Sequence, residues 1–253
     1  MHDVDFNRRY SAGKLFWLAF RMYWYYPVLF TLLAFAVVAP FDCFVLATTG
    51  SGPLARGGSD TVEVTVIMIL AFSLVTPLVS ALHARAISAM VAKESVSVRR
   101  VVVGSVGVLQ VVFVTVLVAN VAIGVGMVAF ILPGVILWMR WAIVAQTAAI
   151  EGEGLLKTLR RCAELTYGCY LHIFLLLLMV GAFLIVVNSV AEALPLGSPS
   201  SFAAVVVGII IHTFVASLTA LSGAVLYFDL RARQGDAKAG VREYHYARDL
   251  DVS

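Results

Sequence analysis

Long runs of residues without a formal charge constrain this chain more than any other feature. They cover 22–41, 64–84, 101–139, 165–191 and 193–228. A helix crosses the hydrocarbon core of a bilayer with about 20 predominantly apolar residues. The runs at 101–139 and 193–228 hold 39 and 36 residues, so each is long enough to cross twice. The sequence therefore predicts an all-α polytopic membrane protein with six transmembrane helices.

The overall composition excludes an ordinary soluble domain. Hydrophobic residues make up 61% of the chain and charged residues only 13%, about half the charged share of a typical soluble domain. Helix-weakening residues mark a turn within each of the two longest runs, at ANVAIGVG and at LPLGSPSS. The predicted spans are 26–48, 64–84, 101–120, 127–149, 169–191 and 202–228. They leave a tail with an amphipathic segment at 1–25, a membrane domain at 26–228 and a second tail at 229–253.

Basic residues lie almost entirely on one side of these spans. Of the 18 Lys and Arg residues, sixteen fall on the side that holds both termini, Arg56 falls on the other side, and Arg140 lies within a span. Loops rich in Lys and Arg stay in the cytoplasm. We therefore predict a multi-pass protein of a bacterial inner membrane with both termini cytoplasmic. Its basic layer faces lipid headgroups and gives no reason to expect a nucleic acid partner.

Short amphipathic segments precede three of the spans. In GLLKTLRRCAELTYG, a 3.6-residue period separates an apolar face from a charged face. The apolar face holds Leu155, Leu159, Cys162 and Thr166, and the charged face holds Lys157, Arg160, Arg161 and Glu164. GKLFWLAFRMYW and SVSVRRVVVG follow a similar plan, the second with Ser97 as a predicted helix cap. We expect short cytoplasmic helices that lie in the membrane interface.

Prolines and alanines inside the predicted spans give two further expectations. Pro77 and Pro133 fall inside the second and fourth spans, where a proline removes a helical hydrogen bond and produces a kink. Ala216, Ala220 and Ala224 recur every fourth residue along the sixth span. Such a ridge of small residues predicts close helix packing.

Arg140, in the stretch PGVILWMRW, is the only formal charge between 101 and 150. An arginine at the centre of a membrane helix costs about 2.5–3.5 kcal/mol on insertion scales, so we expect it to point into the bundle and to have a partner. One candidate is a protein group, with Asp229 near the end of the sixth span as the counter-ion. The other is a lipid phosphate, because a guanidinium matches phosphate geometry and Trp138 and Trp141 suit the membrane interface.

Three stretches of the chain carry short motifs beyond the pattern of a membrane helix. ILPGVILWMRWAIVAQTAAIEGEGLLKTLRRCAELTYGCYLHIFLLLLMV holds Pro133-Gly134, Arg140-Trp141 and Glu151-Gly152, and TPLVSALHARAISAM and LYFDLRAR are the others. Together they resemble the glycerophosphoryl diester phosphodiesterase membrane-domain family, which includes stand-alone bacterial membrane proteins, over most of 11–233. In fused members the phosphodiesterase chemistry belongs to a separate barrel, which needs about 250 residues. The resemblance therefore implies a membrane domain without that activity.

Catalytic and metal-binding patterns do not occur in the sequence. The five histidines form no i, i+4 pair and no His-Glu-x-x-His motif. No Gly-x-Ser-x-Gly motif is present either. We therefore predict no catalytic residues, no metal and no cofactor.

These features predict a non-enzymatic integral membrane protein that interacts with lipids or is an accessory component of a membrane process. Its expected partners are membrane lipids, anionic ones among them, with a partner protein or a second copy of the chain as further alternatives. A small permease or exporter subunit is the alternative function, and an intramembrane lipid-processing enzyme is the third. The residues expected at the membrane interface are Lys157, Arg160, Arg161, Trp138 and Trp141, and the headgroup or ion-pair site is expected at Arg140 and Asp229.

Overall fold

The computed structural model describes residues 10–49, 71–92, 97–195 and 201–251, and this part of the chain is helical without strands. Its helices are α1 (Ala12–Tyr25), α2 (Pro27–Thr49), α3 (Thr76–Val91), α4 (Val98–Ala129), α5 (Ile131–Arg140), α6 (Val144–Glu151), α7 (Leu155–Thr166), α8 (Tyr170–Ala193) and α9 (Phe202–Asp251). A π-helical turn, Ala71–Val75, leads into α3.

Among the described residues, six segments are long and apolar enough to cross a membrane. They are Pro27–Thr48, Ser73–Val91, Val98–Ala129, Ile131–Glu151, Tyr170–Ala193 and Phe202–Gly235. The fourth segment consists of α5 and α6, which are separated by a short turn after Arg140. The predicted all-α fold with six membrane-length helices is confirmed for the described residues. The short helix α1 precedes the first of them, and the short helix α7 lies between the fourth and the fifth.

The predicted turn between the third and fourth spans is wrong. α4 continues through Asn120 to Ala129, because an apolar membrane helix tolerates the glycines that weaken a helix in water. Phe130 alone, with extended backbone (φ −157°, ψ 132°), connects α4 to α5. A Cβ added to Gly134 would lie 2.6 Å from the Met127 backbone nitrogen. The glycines at this hairpin therefore allow close contact of two helices rather than the turn itself.

The prediction of a proline kink in the fourth span is also wrong. Pro133 occupies the first turn of α5, where its missing N–H has no intrahelical acceptor to lose. The irregular point of this span is the turn at 141–143. Pro77 lies at the start of α3, directly after the π-helical turn. Pro40 lies inside α2, a position that the sequence patterns do not single out.

Other predicted boundaries have different outcomes. The predicted tail at 229–253 begins inside α9, which continues to Asp251. Ser97 caps α4 as predicted, because its Oγ accepts a hydrogen bond from the Arg100 N–H at 3.3 Å. The predicted start of the second span at 64–70 and most of the predicted turn at LPLGSPSS lie outside the described residues.

α9 is the centre of the bundle. It packs against α1, α2, α3 and α8, and its part around Tyr227 to Gln234 also contacts α6 and α7. Ala220 and Ala224 are buried on it, and Ala216 is partly buried beside α2 and α3. The alanine ridge is therefore a packing surface, as predicted. Helices approach closely where these small side chains meet, which is how membrane helices gain van der Waals contact without a hydrophobic driving force.

α1 packs one face against the bundle and leaves the other exposed. Leu15, Ala19 and Met22 are buried, and Phe16 contacts Phe183 of α8 edge to face. Its exposed side carries two cations and two indoles, Lys14, Trp17, Arg21 and Trp24. This mixture of basic and tryptophan side chains is typical of a helix in the membrane interface.

Candidate functional site

α7 packs against the bundle through a face that carries both polar and apolar side chains. The chain reverses before it at Gly152, whose φ of +62° is a left-handed conformation that favours glycine. Its buried side chains are Thr158, Cys162, Leu165 and Thr166. Burial raises the pKa of the Cys162 thiol to about 12, so this cysteine is an inert packing residue.

The charged face of α7 is not as predicted. Lys157 and Arg160 are exposed, and Arg160 pairs with Glu164 one turn later at 3.2 Å. Arg161, however, turns toward the bundle, because Glu151 at the end of α6 provides a carboxylate 3.3 Å away. Leu155 and Leu159 of the predicted apolar face are only partly buried. The outward face of α7 therefore has two cations, and the third is part of an internal cluster.

Arg140 is exposed at the end of α5, so the prediction that it points into the bundle is wrong. Its side chain forms no hydrogen bond or ion pair with any described residue. Only its backbone carbonyl is engaged, as an acceptor for the Thr166 hydroxyl at 3.2 Å. Trp138 beside it is exposed, whereas Trp141 packs partly against the core.

Asp229 does not pair with Arg140, because its carboxylate is already occupied. It is 2% exposed and accepts the Tyr10 backbone N–H at 2.7 Å and the Arg233 Nε at 2.6 Å. His172 Nε2 lies 3.2 Å from the same carboxylate. Arg233 also donates to the Tyr10 carbonyl at 2.6 Å. Asp229 therefore fastens the start of α1 and of α8 to α9, which is a structural role.

A second cluster forms where α6, α7 and α9 meet. The Tyr227 hydroxyl donates to Glu151 Oε1 at 2.8 Å, and Arg161 Nε donates to the same oxygen at 3.3 Å. Arg161 also donates to Gln234 Oε1 at 3.3 Å, and Gln234 donates to the Glu164 carbonyl. Glu151 thus receives donors from two helices and holds a fixed orientation.

An open pocket of about 580 Å³ adjoins this cluster, and we call it the junction pocket. Ile150, Glu151, Glu153, Arg161 and Arg231 line it. Arg161 and Glu151 oppose each other, but the exposed side chains of Arg231 and Glu153 form no hydrogen bond or ion pair with the described residues. The pocket therefore presents one uncompensated cation and one uncompensated anion.

Buried Asp42 and partly exposed His212 form a pair between α2 and α9. His212 Nδ1 lies 2.9 Å from Oδ1 and 3.0 Å from Oδ2 of Asp42, which is 4% exposed. Asp42 follows Val38 by one helical turn on the face of α2 that packs against α9. Both residues lie in membrane-length segments, where ionisable groups are rare and costly. Their 170-residue separation leaves no local pattern from which to predict the pair.

His83 is a fully buried imidazole inside the bundle. Its Nδ1 lies 2.8 Å from the Val79 carbonyl and its Nε2 2.8 Å from the Ser217 hydroxyl. The ring stacks on Phe30 at a centroid distance of 5.3 Å. A neutral imidazole with Nδ1 as donor satisfies both contacts, because Nε2 then accepts from Ser217. Among the described residues, no group of three His, Cys, Asp or Glu side chains is placed to hold a metal ion.

Comparison with known proteins adds no relative to this picture. No family model, curated protein or solved structure significantly matches the chain.

Proposed function

We propose that the protein is a non-enzymatic membrane component that binds lipid headgroups, as an accessory part of a membrane process. It would lie in the cell inner membrane with both termini in the cytoplasm. The sixteen basic residues on one side of the six helices support this orientation.

The observation that carries the proposal is the exposed guanidinium of Arg140, which lies within a membrane-length segment and has no partner among the described residues. An unpaired charge at this kind of position is unfavourable unless a partner from outside the chain neutralises it. A phosphodiester supplies oxygens for two parallel hydrogen bonds to one guanidinium. Exposed Trp138 next to it is the type of residue that lies at headgroup level. An anionic lipid is therefore the partner that best fits Arg140.

Lipid analysis of the purified protein tests this proposal. The full-length protein would be extracted in a mild detergent, and bound phospholipids would be quantified by mass spectrometry. Arg140→Gln should lower the retained anionic lipid, and Arg140→Lys should retain an intermediate amount, because lysine keeps the charge but not the planar fork. Arg160→Gln is the matched control, since Glu164 already opposes the Arg160 charge. Equal anionic lipid in the wild type and Arg140→Gln would contradict the proposal.

A small permease is the second candidate, and the ionisable groups inside the bundle favour it. Asp42, His212 and His83 lie in membrane-length segments, where such residues commonly mark ion or substrate pathways. Liposomes that contain the protein and a trapped pH dye would test for proton entry. Faster acidification than in protein-free liposomes, lost in Asp42→Asn, would support a proton-coupled permease. A leak equal to that of protein-free liposomes would exclude it.

A further inference from the structure

The charges around the junction pocket define the ligand that would complete it. Glu151 receives hydrogen bonds from Tyr227 and Arg161, so this pair of opposite charges is internally balanced. Arg231 and Glu153 remain, each exposed and each without a described partner. A ligand with only negative charge would leave Glu153 without a partner, and one with only positive charge would leave Arg231 without a partner. A ligand that carries one charge of each sign matches the pocket.

We infer that the junction pocket binds a phosphate diester that carries a primary amine, the phosphoethanolamine group. Its phosphate would contact Arg231, and its ammonium group would contact Glu153. An ammonium group with three N–H donors forms charge-assisted hydrogen bonds with a carboxylate, whereas a quaternary choline nitrogen has no donor. The pocket should therefore prefer phosphoethanolamine to phosphocholine. This inference rests on the proposed lipid-binding function and names a second headgroup site for it.

The position of the pocket fits the headgroup of a lipid. Ile150 and Glu151 end the membrane-length segment Ile131–Glu151, and Arg231 lies near the end of Phe202–Gly235. The pocket thus opens where two membrane-length helices finish, and Ile150 provides an apolar wall. A volume of about 580 Å³ lies within the usual range of small-molecule pockets, about 300–1,000 Å³. The same diester group also occurs on soluble glycerophosphoethanolamine, so a free headgroup is a second source of this ligand.

The preorganisation of Glu151 strengthens this assignment. Tyr227 on α9 and Arg161 on α7 fix its carboxylate from two sides, so the wall of the pocket does not need to rearrange on binding. The left-handed Gly152 places Glu153 directly after the end of α6, within the same reversal of the chain. A preformed site loses little conformational entropy when its ligand binds.

Binding of short-chain lipids to the full-length protein in detergent tests the inference. Affinities for phosphatidylethanolamine, phosphatidylcholine and phosphatidylglycerol would be measured by native mass spectrometry, with thermal unfolding as a second readout. The wild type should prefer phosphatidylethanolamine to phosphatidylcholine by at least about tenfold, the lower end of the contribution of a hydrogen bond to a charged group. Glu153→Gln should remove this preference, and Arg231→Gln should weaken the binding of both lipids about equally. Arg160→Gln, which changes an exposed cation outside the pocket, should change neither affinity.

The remaining outcomes are equally defined. Competition by soluble glycerophosphoethanolamine at an affinity similar to that of the lipid identifies the free group as sufficient, and failure to compete identifies the lipid as the ligand. Equal binding of phosphatidylethanolamine and phosphatidylcholine, tighter binding of phosphatidylglycerol than of phosphatidylethanolamine by the Arg140→Gln variant, or an unchanged preference in Glu153→Gln would overturn the inference. Arg140→Gln separates the two proposals, because it should lower anionic lipid retention and leave the ethanolamine preference intact. Loss of one effect without the other shows which proposal has failed.

Discussion

Replacing Gly134 with alanine tests the close contact between α4 and α5. A Cβ at this position would lie 2.5 Å from Met127 Cγ and 2.6 Å from the Met127 backbone nitrogen. The Met127 side chain can rotate away, but its backbone nitrogen is fixed in α4. Ordinary contact begins at about 3.4 Å, so the two helices must separate by roughly 0.8 Å to admit one methyl group.

The expected cost follows from this displacement. Inserting a methyl group into a packed interface typically costs about 1–3 kcal/mol. Gly124→Ala is the matched control, because a Cβ there meets nothing within 4 Å. It should be neutral or slightly stabilising, since alanine favours a helix over glycine by up to about 1 kcal/mol in water. Gly126→Ala should fall between the two, because its Cβ would lie 3.1 Å from Gly134 Cα.

Reversible unfolding of the full-length protein in mixed detergent micelles, followed by circular dichroism, would give the free energy of unfolding of each variant. Gly134→Ala should shift the unfolding equilibrium by about 5- to 150-fold relative to Gly124→Ala, which is the 1–3 kcal/mol steric cost. The order of stability should be Gly124→Ala, then Gly126→Ala, then Gly134→Ala. If Gly134→Ala is as stable as Gly124→Ala, the close approach of α4 and α5 does not exist as described.

Three further outcomes test other parts of the fold. His212→Leu should destabilise the protein more than the double variant His212→Leu, Asp42→Asn, because the single change leaves the buried Asp42 carboxylate without its partner. A double-mutant cycle of unfolding free energies should therefore give a coupling energy of about 0.5–3 kcal/mol. An impermeant maleimide should label exposed Cys43 from outside intact cells and partly exposed Cys169 only after the membrane is opened. Cys162 should stay unlabelled at pH 7 to 9 in both conditions, because burial raises the pKa of its thiol to about 12. Arg161→Gln should lower the thermal stability of the protein, because Arg161 contacts the Glu151 carboxylate that also accepts from Tyr227. Arg160→Gln, which removes only an exposed ion pair with Glu164, should change the free energy of unfolding by less than about 0.5 kcal/mol.

The helical type and the number of membrane-length segments follow directly from the sequence, because a long apolar run can satisfy its backbone hydrogen bonds within a bilayer by forming a helix. The position of the turn after α4 does not follow from it. Gly124 and Gly126 look like helix breakers by the propensities measured in water, yet α4 passes through both and ends at Ala129. The backbone hydrogen bonds of a membrane helix have no competition from water, so a glycine there weakens the helix less.

The candidate sites depend on contacts between distant segments, which local periodicity does not contain. The pattern of α7 predicts a charged face, but Arg161 leaves that face because Glu151 and Gln234 reach it from α6 and α9. Arg140 and Asp229 have opposite charges and comparable apparent depth, but Asp229 already receives Arg233 from the next turn of its own helix and the Tyr10 N–H. An exposed Arg140 is the consequence, and only the three-dimensional arrangement reveals it.

The single-residue connection at Phe130 has a consequence for biosynthesis. α4 and α5 meet there with no polar loop between them, since Phe130 and its neighbours are apolar. If α4 inserted alone, the carbonyl groups of its last turn and the N–H groups at the start of α5 would have no hydrogen-bond partners in the bilayer. The two helices should therefore enter the membrane together as one hairpin, with Gly126 and Gly134 already in contact during insertion. Synthesis must then reach at least the end of α5 before α4 can take its final place.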